Sequence, residues 1–249
     1  MNSSDWDKFA EDYYSEVLSP IKNSINNPLL DALKKLDSKN LKVLEVGCGL
    51  GELVPFLSKN FKEVVAIDFS DKMIQLAKEM HKQTNVSFRV MDMTKLDFSE
   101  EFDVIIRVNS LLMPSIKDLN KSISALYSCL KKGGKLFAIV PSIESHIYQS
   151  MLVLDKKLDE GASPSKAIIR AKKSMQPERY DFVQGVIEFD GDLQKAFYRF
   201  EILYRFERAG FKKFIVDKVY YSWKEWQEAG YDYFPEEKEP WDWYFTCEK

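Results

Sequence analysis

The sequence predicts an α/β protein built on a doubly wound, largely parallel sheet. From residue 41, short apolar runs of β-forming residues alternate with segments of helical periodicity, which is typical of βαβ units. The first run is followed at once by VGCGLG (46–51), a stretch with three glycines at alternate positions. Glycine lacks the Cβ that would keep a sharply turning loop away from a ligand, so this loop is a candidate binding site.

The predicted elements follow one another in βα order through the first half of the chain. Strands are predicted at LKVLEV (41–46), EVVAID (63–68), VSFRV (86–90), FDVIIRV (102–108) and KLFAIV (135–140). Two of the intervening segments carry apolar stripes at helical spacing: Met73, Ile74, Ala77 and Met80, then Leu119, Ile123, Leu126 and Leu130. We interpret both stripes as helix faces that pack on the core. Gly133 and Gly134 are expected to end the second helix and turn the chain into strand five.

The alternation stops after Ser142, and residues 142–192 are predicted to form a helical insertion after strand five. One helical face of this insertion would carry Ile147, Met151, Leu154 and Leu158. Long connections of this kind often carry function, so the insertion is our candidate lid. The rest of the chain predicts a helix around 193–209 and strands at 211–221 and 241–247.

Composition and charge restrict the class of protein. The 249 residues carry a net charge of −3, which disfavours broad binding to nucleic-acid phosphates. Apolar runs such as KLFAIV are too short to span a bilayer, and the polar, acidic first residues do not resemble a secretory signal. Cys48, Cys129 and Cys247 lack the spacing of a metal cluster or a disulfide framework. We therefore expect a cytoplasmic protein with no metal and no membrane partner.

The residues around the glycine stretch indicate a cationic ligand. Dinucleotide-binding loops have the pattern G-x-G-x-x-G, whereas Gly47, Gly49 and Gly51 place the third glycine one residue earlier. Glu45 stands two residues before the first of them. A carboxylate there would repel a pyrophosphate but attract a ligand that carries a positive charge.

Two further carboxylates follow the next two strands. Asp68 ends strand two, beside the glycine loop, where it can accept both hydroxyls of a ribose. The alternative is that Asp68 caps the helix that starts near Ser70. Asp92 follows strand three, where it can accept from the exocyclic amine of an adenine while Met91 and Met93 contact the ring.

In combination these motifs resemble the class I S-adenosylmethionine-dependent methyltransferases, and the resemblance covers residues 41–140. It implies a Rossmann-like sheet that is mostly parallel, with an antiparallel last strand. It also implies methyl transfer from S-adenosyl-L-methionine to a small molecule, with S-adenosyl-L-homocysteine as the product. Two alternatives stay open: methylation of a protein or an RNA, and a non-catalytic sensor or assembly protein that only binds the cofactor.

The resemblance also implies an organisation for the whole chain. The units would be an N-terminal helical cap (1–40), a cofactor-binding core (41–141), the helical lid (142–192) and a C-terminal completion of the sheet (193–249). The oligomeric state and the identity of the acceptor are not readable from the sequence.

The family's cofactor contacts map onto individual positions of this chain. The loop from Gly47 to Gly51, with Cys48 as a small spacer, would lie against the amino-acid part of the cofactor. Asp68 would bind the ribose and Asp92 the adenine amine. The remaining expected cofactor contacts are Phe69 and Met73 at the adenine, Asn109 at the methionine end, and Tyr14 of the N-terminal helix at the carboxylate.

The acceptor side departs from the family pattern. Many relatives have an acid-histidine pair after strand four, where this chain has Leu112 and Met113. We therefore expect an apolar wall there rather than an acid-base site. His146, which follows strand five, is the candidate general base. Met113, Tyr148 and Tyr198 are the candidate substrate contacts.

Overall fold

A computed structural model describes residues 20–21, 27–174, 179–189 and 192–249. Within them the strands are β1 (Lys42–Val46), β2 (Glu63–Asp68), β3 (Val86–Val90), β4 (Phe102–Val108), β5 (Leu130–Val140), β6 (Arg179–Asp181), β7 (Val186–Phe189), β8 (Asp192–Lys195), β9 (Lys212–Tyr220) and β10 (Trp241–Glu248). Seven of them form one sheet in the order β3-β2-β1-β4-β5-β10-β9. Strands β1 to β5 are parallel, and β10 is antiparallel to both of its neighbours. This confirms the doubly wound, Rossmann-like sheet with an antiparallel last strand.

Helices cover both faces of this sheet. They are α1 (Pro28–Lys34), α2 (Val54–Asn60), α3 (Asp71–Met80), α4 (Ile116–Cys129), α5 (Ile143–Asp159), α6 (Pro164–Ser174), α7 (Arg199–Arg208) and α8 (Trp223–Glu228). One apolar cluster joins the sheet to α4 and α7, and another joins it to α1, α2, α5 and α8. In the described part of the chain, no helix combines the length and apolar character needed to cross a membrane.

The strands of the cofactor half agree closely with the sequence prediction. The bounds of β2, β3 and β4 coincide with the predicted runs at 63–68, 86–90 and 102–108. Parallel strands covered on both faces have nearly continuous apolar runs, which is why periodicity locates them well. Helix α3 begins where Ser70 accepts a hydrogen bond from the Met73 backbone N–H at 3.1 Å, an ordinary N-cap.

The prediction that two adjacent glycines end α4 is wrong. The helix ends at Cys129, and Gly133 and Gly134 lie inside β5. The pairing of β5 with β4 shifts register in this part of the strand. A Cβ on Gly134 would lie 2.9 Å from the carbonyl oxygen of Lys131, so a close backbone approach in the strand, and not a helix end, requires glycine there.

The apolar face predicted for α5 is largely exposed. Ile147, Met151 and Leu158 are between 38% and 49% exposed. The face that packs on the sheet carries His146, Gln149, Leu152 and Val153 instead. The indole N–H of Trp226 donates to Gln149 Oε1 at 2.7 Å, so a distant segment supplies the partner that lets a polar side chain be buried. Periodicity along the helix contains no information about such a partner.

The insertion after strand five is not purely helical. Strands β6, β7 and β8 form a separate antiparallel sheet that continues to Lys195, past the predicted boundary at 192. The helix predicted around 193–209 begins only at Arg199. The backbone N–H of Lys195 donates to the Leu112 carbonyl at 2.9 Å, and its buried ammonium pairs with Glu201 at 2.6 Å. These two contacts hold β8 against the loop after β4 and against α7. Residues 192–195 are therefore a strand and not the first turn of the predicted helix.

Candidate active site

A cavity of about 420 Å³ opens at the carboxyl ends of the parallel strands. It is lined by Gly47, Gly49, Asp68, Phe69, Met73, Asp92, Met93, Thr94, Val108, Asn109, Ser110, Leu112, Met113, Pro114, Asp118, Leu193 and Gln194. Ligands of doubly wound sheets bind at this edge, where the loops after the strands converge. Ten of these residues were expected from the sequence: Gly47, Gly49, Asp68, Phe69, Met73, Asp92, Met93, Asn109, Leu112 and Met113.

All three glycines of the loop have positive φ, a conformation that favours glycine. A Cβ on Gly47 would lie 2.2 Å from the Cβ of Ser110, so the loop passes directly against the segment after β4. A Cβ on Gly51 would lie 2.9 Å from the ring of His81. His81 Nε2 donates to the Leu50 carbonyl at 3.0 Å, which holds the loop from behind. Close packing within the protein therefore requires glycine at the first and third positions.

Asp68 joins the glycine loop to β2. Its carboxylate is buried, and one oxygen accepts from the Gly49 N–H at 3.0 Å. The other oxygen accepts from the Ser70 N–H at 3.0 Å. The alternative in which Asp68 caps α3 is wrong, because Ser70 is the N-cap of that helix. Each carboxylate oxygen can accept more than one hydrogen bond, so Asp68 can hold the loop and still accept from a ligand.

Asp92 is exposed, in contrast to the buried Asp68. One of its oxygens caps a short 3₁₀ turn, Met93–Lys95, by accepting from the Thr94 N–H at 2.8 Å. The other lies 3.8 Å from the Lys95 ammonium, and the side chain is 47% exposed. Met91 does not line the cavity; its N–H donates to the Asp68 carbonyl. The local cap therefore leaves one Asp92 oxygen at the cavity with only a distant, solvent-screened cation.

Glu45 lies beneath the loop, in the middle of β1 between Ala66 of β2 and Ile106 of β4. Its side chain is buried, and Oε2 has no hydrogen-bond partner in the described structure. Burial, together with the nearby charges of Asp68 and Glu52, raises the pKa of Glu45 to about 8. A buried carboxyl group without a partner next to a glycine loop fits a ligand with a positive charge and fits a pyrophosphate poorly.

Known proteins are similar to this chain in sequence and in fold. A family model described as a methyltransferase domain matches residues 43–134. The malonyl-[acyl-carrier protein] O-methyltransferase of Acetivibrio thermocellus is 27% identical over 198 residues, which cover 76% of this chain and 68% of that protein. An S-adenosylmethionine-dependent methyltransferase structure from Mesorhizobium loti matches with a TM-score of 0.59 and 16% identity, over 89% of this chain and 96% of that one. Residues 43–134 therefore form a methyltransferase domain of the S-adenosylmethionine-dependent kind. Its cofactor is S-adenosylmethionine.

Other similar proteins match over different shares of their length. A chain in the complex between the Haloferax volcanii Trm112 methyltransferase activator and a methyltransferase matches over 98% of this methyltransferase and 96% of that chain, with a TM-score of 0.62 and 16% identity. This methyltransferase spans only 35% to 46% of several further curated malonyl-[acyl-carrier protein] O-methyltransferases that it matches. The similarity to these further relatives therefore extends over less than half of their length.

Sequence reasoning missed the contribution of the small sheet. Leu193 and Gln194 of β8 line the cavity of the methyltransferase, although they were assigned to a helix. The buried ion pair of Lys195 with Glu201 anchors the end of that strand. Four alternating residues, DLQK, are too short a signal to predict a strand at this place.

Arg107 of β4 is a second feature that sequence reasoning missed. It is fully buried, and burial lowers the pKa of its guanidinium to about 9. Its Nη2 donates to Met93 Sδ at 3.2 Å and to Ser110 Oγ at 3.3 Å, and both of these residues line the cavity. The signal in the sequence is an arginine inside an otherwise apolar strand, FDVIIRV.

Several expected acceptor-side residues are not at the cavity of the methyltransferase. His146 packs between the rings of Trp226 and Tyr231, and burial lowers its pKa to about 4. The Tyr148 ring contacts Trp241, and Tyr198 donates to the Phe182 carbonyl. These side chains contact α8, β10 and the small sheet. Helix α8 and the small sheet were not predicted from the sequence, and the contact with β10 depends on how that strand packs in the fold.

Besides Met91, three cofactor-side expectations lie off the cavity lining. Glu45 lies beneath the loop, and Gly51 is the last residue of the loop, packed against His81. Cys48 is buried, and burial raises the pKa of its thiol well above the ordinary value, which agrees with a small, unreactive spacer. Tyr14 lies outside the described residues.

The buried carboxyl group predicts a pH-dependent stability. Folded Glu45 keeps its proton up to about pH 8, whereas the unfolded chain releases it near 4.5. The free energy of unfolding should therefore fall as the pH rises between these values, and Glu45→Gln should remove that part of the slope. We expect Glu45→Gln to be more stable than the parent at pH 8 by on the order of a few kcal/mol. Urea unfolding at several pH values between 5 and 8.5 measures this difference.

The matched control for that experiment is Glu79→Gln, which changes an exposed carboxylate on α3. Its unfolding profile should run parallel to that of the parent protein. A Glu45→Gln profile that is also parallel to the parent would show that Glu45 ionises normally in the folded protein.

Proposed function

We propose that this methyltransferase transfers the methyl group of S-adenosylmethionine to a small-molecule acceptor. The observation that carries the proposal is the cavity itself. Strand ends form its floor, and β8 of the small sheet adds Leu193 and Gln194 to its wall. A volume of about 420 Å³ is on the scale of small-molecule and cofactor sites. Such a partly covered site supports a small acceptor better than a folded protein or RNA.

In the proposed complex, different residues at the cavity contact different parts of the cofactor. Asp68 accepts from the ribose hydroxyls, and Asp92 accepts from the adenine amine with Met93 and Phe69 against the ring. The backbone of the glycine loop lies along the amino-acid part, and the Glu45 carboxyl group lies beneath it, where a bound cation would favour its ionised form. The cofactor itself supplies a methyl group activated by a sulfonium, so the protein needs no nucleophile of its own. Its task is to align the acceptor about 3 Å from that group.

The chemistry of the lining supports an acceptor that is already ionised at neutral pH. Among the described lining residues there is no histidine, lysine or cysteine. His146, the expected base, is held in ring contacts away from the cavity. A carboxylate attacks without losing a proton, so it needs no general base. This reasoning supports carboxyl O-methylation, the reaction that the name of the Acetivibrio thermocellus relative describes.

Turnover with a panel of acceptors tests the proposal. Formation of S-adenosylhomocysteine at pH 7.5 is measured with a malonyl thioester on a carrier protein, free dicarboxylic acids, a primary amine and bulk RNA. We expect product only with carboxylate acceptors, as a methyl ester that alkali hydrolyses. Asp68→Ala serves as the control that lacks cofactor binding.

Two results would contradict the proposal. Turnover confined to RNA or to protein side chains would favour the macromolecular alternative. Cofactor binding in calorimetry without turnover on any acceptor would favour a sensor or an assembly protein.

A further inference from the structure

Four polar groups from different elements meet at the carboxyl edge of the sheet. Asn109 Nδ2 donates to Asp242 Oδ2 at 2.9 Å, and the Tyr221 hydroxyl donates to the same oxygen at 2.5 Å. The backbone N–H of Ser142 also donates to the Asp242 carboxylate. Asn109 hydrogen-bonds Tyr221 as well, so the amide is held by both partners. Asp242 and Tyr221 are buried.

The topology of the sheet explains why these groups meet. Because β10 runs antiparallel to its neighbours, it begins at the edge where the parallel strands end. Asp242 stands at the start of β10, and Tyr221 directly follows the end of β9. Asn109 and Ser142 follow β4 and β5 at the same edge. The antiparallel last strand therefore delivers a carboxylate to the cofactor edge from a distant part of the chain.

The Asp242 carboxylate determines which end of the Asn109 amide faces it. Burial raises the pKa of Asp242 to about 6, while its three hydrogen-bond donors favour the ionised form. At pH 7.5 the carboxylate is therefore ionised and can only accept hydrogen bonds. The amide must then present Nδ2 to Asp242, which turns Oδ1 the other way. Oδ1 is buried and has no hydrogen-bond partner in the described structure.

Asn109 itself stands at the cofactor cavity in a strained conformation. It lines the cavity, and its backbone has a φ of 43°, in the left-handed region that asparagine tolerates better than most residues. Local strain and an acceptor without a partner are features that concentrate at ligand sites. The ligand of this site carries positive charge on its sulfonium and on its α-ammonium group, and an amide oxygen suits either of them.

We propose that Asp242 is a positioning residue, which orients the Asn109 amide so that its oxygen faces the cationic part of S-adenosylmethionine. Tyr221 completes the clamp by holding the carboxylate. A rotated amide would turn two N–H donors towards a cation, which is repulsive. The inference concerns cofactor binding alone and does not depend on the identity of the acceptor.

A double-mutant cycle of Asp242→Asn and Asn109→Gly tests the proposal. Asparagine at 242 can donate as well as accept, so the Asn109 amide loses its enforced orientation. Glycine at 109 removes the amide and tolerates the positive φ. We expect each single variant to raise the dissociation constant for S-adenosylmethionine at least tenfold in calorimetry. In the Asn109→Gly background, Asp242→Asn should have no further effect, because the amide it orients is gone.

Parallel titrations with S-adenosylhomocysteine distinguish the two cationic groups. Loss confined to S-adenosylmethionine assigns the oxygen to the sulfonium, and equal loss for both assigns it to the α-ammonium group. Thermal unfolding monitors the fold of every variant. If Asp242→Asn does not fold, the Asn109→Gly variant still decides, because parental affinity there would overturn the proposal. It would equally be overturned if Asp242→Asn bound like the parent protein or weakened binding equally in both backgrounds.

Discussion

Alanine in place of Asp68 should weaken S-adenosylmethionine binding by about a hundredfold or more. The carboxylate holds the Gly49 N–H and the Ser70 N–H at 3.0 Å each, and in the proposed complex it also accepts from the ribose. A hydrogen bond to a charged group contributes about 1.5–3 kcal/mol, and about 1.4 kcal/mol corresponds to a tenfold change in affinity. Loss of two ribose hydrogen bonds and of the loop contact therefore exceeds a factor of about one hundred. Calorimetric titration of the purified variant measures it.

A second carboxylate of the same cavity provides the matched control. Asp118 lies in the first turn of α4, lines the cavity and is exposed. Asp118→Ala should leave cofactor affinity within about threefold of the parent, since exposed charges interact weakly through water. If Asp68→Ala and Asp118→Ala bind the cofactor equally well, Asp68 does not contact the ribose.

Valine in place of Gly47 should abolish cofactor binding and lower the stability of the fold. Its Cβ would lie 2.2 Å from the Cβ of Ser110, and the backbone has a φ of +74°, which a β-branched residue rarely adopts. Overpacking costs about 1–3 kcal/mol, and a left-handed non-glycine residue costs about 1–2 kcal/mol more. Relief of the clash would push the loop into the space for the cofactor. Thermal unfolding and calorimetry measure the two effects separately.

Gly161→Val separates backbone strain from the clash. Gly161 has a φ of +81°, and nothing lies within 4 Å of a Cβ built there. It lies two residues after the end of α5 and does not line the cavity. We expect this variant to lose a similar amount of stability from strain alone while it binds the cofactor normally. A Gly47→Val protein that binds as tightly as Gly161→Val would show that the loop tolerates displacement and does not cradle the cofactor.

The cofactor half of the fold was readable from the sequence because its signals are local. Each parallel strand is a short apolar run in the sequence. In the binding loop, the three positions with positive φ are all glycine. The pattern of Glu45, Asp68 and Asp92 around that loop identified the class of cofactor, and the family comparison agrees with it. These residues lie close together in the fold because parallel strands end at one edge.

The insertion and the acceptor side were predicted less well because their signals are distant. The buried face of α5 includes Gln149, whose Oε1 accepts a hydrogen bond from the Trp226 indole 77 residues away. The buried Lys195 ammonium donates to Glu201 and to the Ala196 carbonyl, and its backbone N–H donates to the Leu112 carbonyl. From the sequence, a polar residue of this kind is predicted to be exposed to solvent. Its burial depends on a hydrogen-bond partner from a distant segment, which the hydrophobic periodicity does not reveal.

The sequence by itself determined the positions of the parallel strands along the chain, the glycine loop and the carboxylates that suit a cationic adenosyl ligand. Only the tertiary structure decided which side chains share the cavity with them. It brought β8 to the cavity wall, moved His146 away from it, and placed Asp242 beside Asn109 through an antiparallel strand 133 residues further along the chain. The physical reason is that local patterns encode which residues prefer burial, whereas the pairing of buried polar groups is settled by contacts between distant elements.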